Sequence, residues 1–251
     1  MNIVVFAASD LEYSTVKASL TNWKTTDYYE QLLAGQGYSG ENLVEVFCTK
    51  MGPKNATEQS IKALEKSKGK IVLITGLAGG LAFECKQGDL VIYNNCYFLG
   101  ENHNQSSKVD CDQKLTNFLS NGLGLESVTT LKGDGLTLPK VVCQSQEKLS
   151  LAKKYNAVAV DMESYQILIA AKEKKLPATV LRVISDDAQG DLPNLNAAMN
   201  QNGDVNNLKM IWQFAQHPVL ATKFLINLNK SLSTLKTYLP KVLGRNFAEL
   251  C

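Results

Sequence analysis

Four short runs of β-branched and other apolar residues, at positions 3–7, 44–48, 71–75 and 180–184, constrain the fold of this chain more than any other feature. Only Glu45 and Arg182 interrupt them. Runs this continuous, with no alternation of polar residues, belong to strands covered on both faces. Residues 90–93 and 157–160 are shorter candidates of the same kind. Between the runs, residues 11–20, 56–66, 114–119 and 147–155 carry apolar side chains at three- and four-residue spacing, the signature of helices with one buried face. Residues 162–174 read as a further helix, with Asp161 as its N-cap and lysines at its end before Pro177. Strand and helix alternate, so the expected class is α/β with a largely parallel sheet. Residues 101–112 are polar and turn-rich, and residues 122–138 are punctuated by glycine, so both read as irregular connections.

Beyond Asp191 the pattern changes. Residues 208–214, 219–228 and 232–243 read as a helical tail broken by Pro218 and Pro240. Its apolar residues include Ile211, Trp212, Phe214, Leu220, Phe224, Leu225 and Leu228, which form one wide stripe. Such a stripe packs on the domain, shapes an apolar pocket, joins copies of the chain or touches a membrane surface. The expected organisation is a single domain over residues 1–251, with a core of about residues 1–190 and a tail of about residues 204–245.

A chain of 251 residues can bury a core without disulfide or metal staples. Hydrophobic residues make up 45% and charged residues 20%, ordinary values for a globular protein. A net charge of +2 argues against a nucleic-acid partner. The first residues read as a strand and not as a signal peptide, and no run reaches the roughly 20 apolar residues of a membrane span. Peripheral membrane contact through the tail stays open. Cys48, Cys85, Cys96, Cys111, Cys143 and Cys251 lack metal-ligand spacing, so free thiols in a reducing cytoplasm are expected, with no metal and no cofactor. His103 lies in a polar loop and His217 precedes Pro218 in the tail.

Open α/β sheets place ligands at the carboxyl ends of their strands. There the chain carries Ala8, Ser9, Asp10 and Glu12, then Lys50 to Ala56, then Gly76, Leu77 and Ala78, and finally Ser185, Asp186 and Asp187. Small residues after a strand let a ligand approach the backbone, and free amides there favour anions. Three carboxylates carry more information. Glu163 sits at a helix start beside Met162, and Asp186 closes an apolar strand. A carboxyl group that is dry on one side tends to hold its proton and can donate it. Glu12 lies in the first turn of the first helix. Each acid alone also reads as a complement to a helix dipole.

Together these residues resemble the nucleoside phosphorylase and nucleosidase superfamily. The motifs are Glu12 after strand one, Met51-Gly52-Pro53-Lys54-Asn55-Ala56, Thr75-Gly76-Leu77-Ala78-Gly79-Gly80 with Lys86-Gln87-Gly88-Asp89 behind it, Val160-Asp161-Met162-Glu163-Ser164, and Arg182-Val183-Ile184-Ser185-Asp186-Asp187-Ala188. They occur in family order and span residues 3 to about 190. The resemblance implies a three-layer fold, a mostly parallel or mixed twisted sheet flanked by helices. It also implies N-glycosidic cleavage of a purine nucleoside by a chain that associates into homo-oligomers. By resemblance Asp186 protonates the leaving base, Glu163 binds the ribose hydroxyls, Met162 packs on the sugar, and Glu12 positions and deprotonates an attacking water. Ser185, Gly76, Leu77 and Ala78 would complete the substrate site. Such a transition state is cationic on the sugar and anionic on the base, which suits this placement of acids.

The nucleophile is where the chain departs from the pattern. Nucleosidases carry a serine where Leu77 stands. Phosphate-using members often supply arginines, yet Arg182 and Arg245 are the only two and neither falls in a phosphate loop. Phosphate, the possible co-substrate, would be held by amides near Ala8, Ser9 and residues 76–78, with charge from Lys54 or Lys50. The Met-Gly-Pro turn and the apolar tail look closest to the hopanoid-associated branch, which implies phosphorolysis and an apolar 5′ substituent. Two other readings stand beside it: hydrolysis of the methylthioadenosine/adenosylhomocysteine type, and a nucleoside-binding or storage protein without turnover.

Overall fold

The computed structural model describes residues 1–26, 32–100, 106–123, 128–198 and 206–250; His103 and Cys251 lie outside them. The chain runs β1 (Asn2–Ala7), α1 (Asp10–Ala18), β2 (Thr21–Thr25), β3 (Ala34–Ser39), β4 (Asn42–Cys48), α2 (Pro53–Lys66), β5 (Ile71–Gly80), β6 (Leu90–Leu99) and β7 (Ser106–Asp110). It continues with α3 (Gln113–Leu123), β8 (Thr130–Thr137), α4 (Ser145–Tyr155), β9 (Ala157–Asp161), α5 (Ser164–Glu173), β10 (Ala178–Asp186), α6 (Asn207–Gln216) and α7 (Pro218–Leu243).

The ten strands of the described residues join one mixed sheet in the order β10-β6-β8-β9-β5-β1-β4-β3-β2, with β7 beside β6. Because β10 pairs with both β5 and β6, and β9 with both β8 and β5, those five strands close into a ring. Strands β1 and β4, with the β2–β3 hairpin, extend the sheet from it. In β1 the alternation of Cβ atoms sends Val4 and Phe6 into one buried cluster and Ile3, Val5 and Ala7 into the other. Helices α2 and α5 cover the first face, and α1, α3 and the second half of α7 cover the opposite face. The continuous apolar runs arise from this double covering.

Several expected boundaries move. The glycine stretch after the third run is not a turn, since β5 continues through Gly80 and pairs with β10 and β9. Strands β7 and β8 lie inside the two segments expected to be irregular, and the β2–β3 hairpin had no expected counterpart. Helix α5 begins at Ser164 with Glu163 in the N-cap position. Asp161, expected there, instead accepts the N–H groups of Glu163 and Ser164 on Oδ1. Pro240 does not break the tail, because it falls in the last turn of a 26-residue helix. Helix α7 is anchored at its middle and its end: Ser231 Oγ donates to Ile184 O at 2.7 Å, and Asn42 Nδ2 donates to the carbonyls of Leu243 and, just past the helix, Arg245.

Candidate active site

One cavity of about 400 Å³ opens at the carboxyl ends of β1, β5, β9 and β10. Glu12, Met162, Glu163, Ser185, Asp186, Leu77, Ala8 and Ser9 all line it. Gly76 and Ala78 support its wall without lining it, and Lys54 is exposed outside it.

Glu12 is placed by the start of α1. Ser9 caps the helix and accepts from Glu12 N, while Glu12 Oε2 accepts the N–H groups of Ala8 and Ser9, each at 2.9 Å. This reciprocal capping folds the side chain back over the end of β1. Its other oxygen, Oε1, accepts Leu77 N at 2.6 Å, tying β1 to β5. Three of the amides expected to cradle a phosphate thus bind Glu12. The amides of Ala8, Ser9 and Leu77 are committed to a carboxylate, and Lys50 pairs with Asp10 at 2.7 Å on the surface.

Gly76 sits at φ +140°, and a Cβ there would strike the Glu12 carboxylate and lie 2.8 Å from Arg182 Nη1. Only glycine lets the backbone come this close at this φ. Gly76→Ala is expected to destabilise the fold by at least about 2 kcal/mol and to cost most of the activity, which a denaturant melt and a rate assay will read.

Glu163 accepts Gly52 N on Oε1 at 2.8 Å, and its Oε2 lies 3.7 Å from Arg182 Nη2. Gly52, at φ +93°, turns that N–H inward at the start of α2. Burial pushes the Glu163 carboxyl up to about 8, with the Asp161 and Glu12 carboxylates adding to it and Arg182 and the Gly52 N–H opposing. The native protein thus keeps a proton that the unfolded chain releases near the ordinary value of 4.5. The resulting stability is complete below 4.5 and is lost as pH rises toward 8. Melting temperature of the free protein is expected to fall across this window, and to fall less in Glu163→Gln.

Arg182, which interrupts the apolar run of β10, is fully buried beneath these acids. Its Nε donates to Asp161 Oδ2 at 3.2 Å, Nη2 to Ser164 Oγ at 3.0 Å and Nη1 to Thr75 O at 3.3 Å. Burial alone would pull its proton affinity down, but Asp161, Glu163 and Glu12 together hold it above the ordinary value. Asp161 serves as its counter-ion and also accepts from Tyr93 and Thr137 hydroxyls.

Asp186 ends β10, and Ser185 Oγ lies 2.6 Å from its Oδ1. The partner that sequence reasoning missed is Lys148. Its Nζ is 2.5 Å from Asp186 Oδ2 and also donates to the carbonyls of Asp187 and Gly190 at 3.0 and 2.9 Å. All three ammonium hydrogens are thereby used, which allows a fully buried lysine. The available signal was its position on the inward face of α4, one turn before buried Leu151. The segment after β8 also reaches the site: Val141 and Val142 line the cavity, and Asn196 pairs with both backbone groups of Val141.

The opposite wall is apolar. Met51, Met210, Phe214, Phe224, Leu225 and Leu228 line it, with the rings of Phe214 and Phe224 6.0 Å apart. The tail stripe is thus divided, since Phe214, Phe224, Leu225 and Leu228 face the cavity while Ile211 and Trp212 remain exposed. Among the described residues no cluster of His, Cys, Asp and Glu could hold a metal ion.

Comparison with known proteins agrees with this architecture. An aminodeoxyfutalosine nucleosidase of Campylobacter jejuni is 23% identical over 199 residues, covering 75% of this chain and 86% of that one. A 5′-methylthioadenosine/S-adenosylhomocysteine nucleosidase of Shewanella loihica is 26% identical over 210 residues, covering 77% and 89%. Among solved structures, the Neisseria meningitidis nucleosidase in complex with methylthio-immucillin-A superposes with a TM-score of 0.75 at 17% identity, covering 97% and 98%. The futalosine hydrolase of Helicobacter pylori gives 0.76 at 16% identity, covering 96% and 97%. The sequence profile of the phosphorylase superfamily matches residues 2–211, and the chain belongs to that superfamily.

Proposed function

We propose that this chain is a purine nucleosidase that cleaves the N-glycosidic bond of an adenosine-type nucleoside with water as the nucleophile. The observation that carries the reading is the convergence of Glu12, Glu163 and Asp186 on one cavity. Asp186 passes to the base a proton drawn from the Lys148 ammonium 2.5 Å away as the bond from C1′ to the purine nitrogen breaks and the electron pair leaves with the base, and Lys148 is reprotonated from solvent. Glu163 holds the ribose hydroxyls, and Met162 packs on the sugar. Water adds to C1′ and gives its proton to Glu12. Asp186 and Glu12 then act on charge that develops only in the transition state, which is what accelerates the step, while Glu163 orients the sugar.

Water is favoured over phosphate by the electrostatics of the floor. The amides that could cradle an anion already bind Glu12, and the guanidinium of Arg182 is engaged by Asp161, Ser164 and Thr75. A phosphate dianion there would face the Glu12 carboxylate. The earlier expectation of phosphorolysis gains no support from this site. The nucleosidase names of the relatives support hydrolysis. The apolar wall supports a substrate with an apolar 5′ substituent, though no contact selects hopane. Buried free Cys48, Cys85, Cys96 and Cys111 suit a cytoplasmic setting. The anchoring of α7 supports one functional unit over residues 1–251.

The test is release of adenine from adenosine and methylthioadenosine with and without phosphate. Equal release in both conditions is expected, with methylthioadenosine the faster. Release that requires phosphate would restore phosphorolysis, and tight binding without release would leave a storage protein.

A further inference from the structure

The helix pair that closes the apolar side of the cavity has a second face. On α6, Met210 and Phe214 point to the cavity, while Leu208, Ile211 and Trp212 recur at helical spacing on the other side. On α7, Phe224 and Leu228 line the cavity, while Val219, Thr222, Lys223 and Ile226 share an open hollow on the outer face. Leu208, Ile211, Trp212, Val219 and Ile226 are 62% to 81% exposed. Five large apolar side chains exposed on two adjoining helices are more than the scattered single hydrophobes of an ordinary surface.

Charge tells what covers them. Between Asp204 and Glu249 the sequence has no acidic residue but carries Lys209, Lys223, Lys230, Lys236, Lys241 and Arg245. With a net charge of +2 overall, the rest of the chain is therefore at −4. Lys209, Lys223 and Lys230 are exposed on the same two helices as the apolar residues, and among the described residues they form no ion pair. A basic helix pair with tryptophan and aliphatic side chains exposed matches the interface of an anionic bilayer: the lysines meet lipid headgroups and the apolar side chains enter the acyl boundary. A second copy of this chain would instead bring lysines against lysines around the patch. No described helix is long and apolar enough to cross a membrane, so the contact is peripheral.

We propose that the outer face of α6 and the first half of α7 docks this protein on an anionic lipid surface. Because the inner faces of the same helices form the apolar wall of the cavity, docking sets that wall against the bilayer. The surface assignment does not depend on the proposed reaction.

The test is co-sedimentation of the full chain with vesicles of phosphatidylcholine alone or mixed with phosphatidylglycerol, with Trp212 fluorescence and light scattering alongside. Binding to the mixed vesicles is expected, with a blue shift, and it should weaken roughly tenfold or more when salt is raised. Trp212→Glu and Ile211→Glu should abolish it; both sites are exposed and away from the cavity, so adenine release without vesicles should stay unchanged. Absence of vesicle binding, or equal salt-insensitive binding to both vesicle types, would overturn the proposal. So would a stable dimer that Trp212→Glu converts to monomer with no lipid binding, because the face would then join copies. Vesicle binding by a protein that releases no adenine would sink the nucleosidase reading and leave this one standing.

Discussion

Asp186→Asn is expected to lower the rate of adenine release by about a hundred- to ten-thousandfold, the range over which a positioned general acid acts. The structure adds a second consequence. Lys148 is fully buried and 2.5 Å from the Asp186 carboxylate, so the amide leaves an ammonium without its counter-ion. Removing one member of a buried pair costs about 3–5 kcal/mol, and the two carbonyls that Lys148 keeps will offset part of this. The variant should therefore fold but melt earlier. Adding Lys148→Met should recover much of the lost stability and none of the activity. Thermal melts and rate assays on the single and double variants separate the two effects. Near-normal turnover in Asp186→Asn would remove Asp186 as the proton donor.

Glu12→Gln should be as damaging, for a different reason. The carboxylate accepts three backbone N–H groups, from Ala8, Ser9 and Leu77, using both oxygens. A glutamine has one acceptor oxygen, so its NH₂ must face at least one of those donors. The expected cost is about 1–3 kcal/mol of stability from the unsatisfied buried group. Loss of the base should reduce turnover by a further hundredfold or more. Added phosphate should not rescue the variant if water is the nucleophile. A phosphate-dependent recovery would show that the amides freed from Glu12 can hold an anion, and would return phosphorolysis to first place.

Much of this arrangement was legible in the sequence, and the parts that were not share a physical cause. Strands β1, β4, β5 and β10 announce themselves because both faces are buried, so their central runs are apolar at nearly every position. Strand β2 is exposed at four of five positions, and β8 has Gly133 and Gly135 because Val158 and Tyr93 pack where side chains would stand. Neither carries a hydrophobic period. Glu12, Glu163 and Asp186 could be picked out because they follow strands at the sheet's carboxyl edge. Lys148 could not, since its pairing with Asp186 spans 38 residues and depends on how α4 lies against β9, near the end of β10. The same limit applies to the amides of Ala8 and Ser9. From sequence they looked available to an anion, and only the folded-back Glu12 side chain shows that they are occupied.

The central claim is that these three acids break a nucleoside with water. Its most direct test is the sugar product formed from methylthioadenosine in phosphate buffer made with ¹⁸O-labelled water. Hydrolysis predicts methylthioribose in the first turnover, with the label at C1. A methylthioribose 1-phosphate product, or nucleoside recovered intact after prolonged incubation, would contradict it.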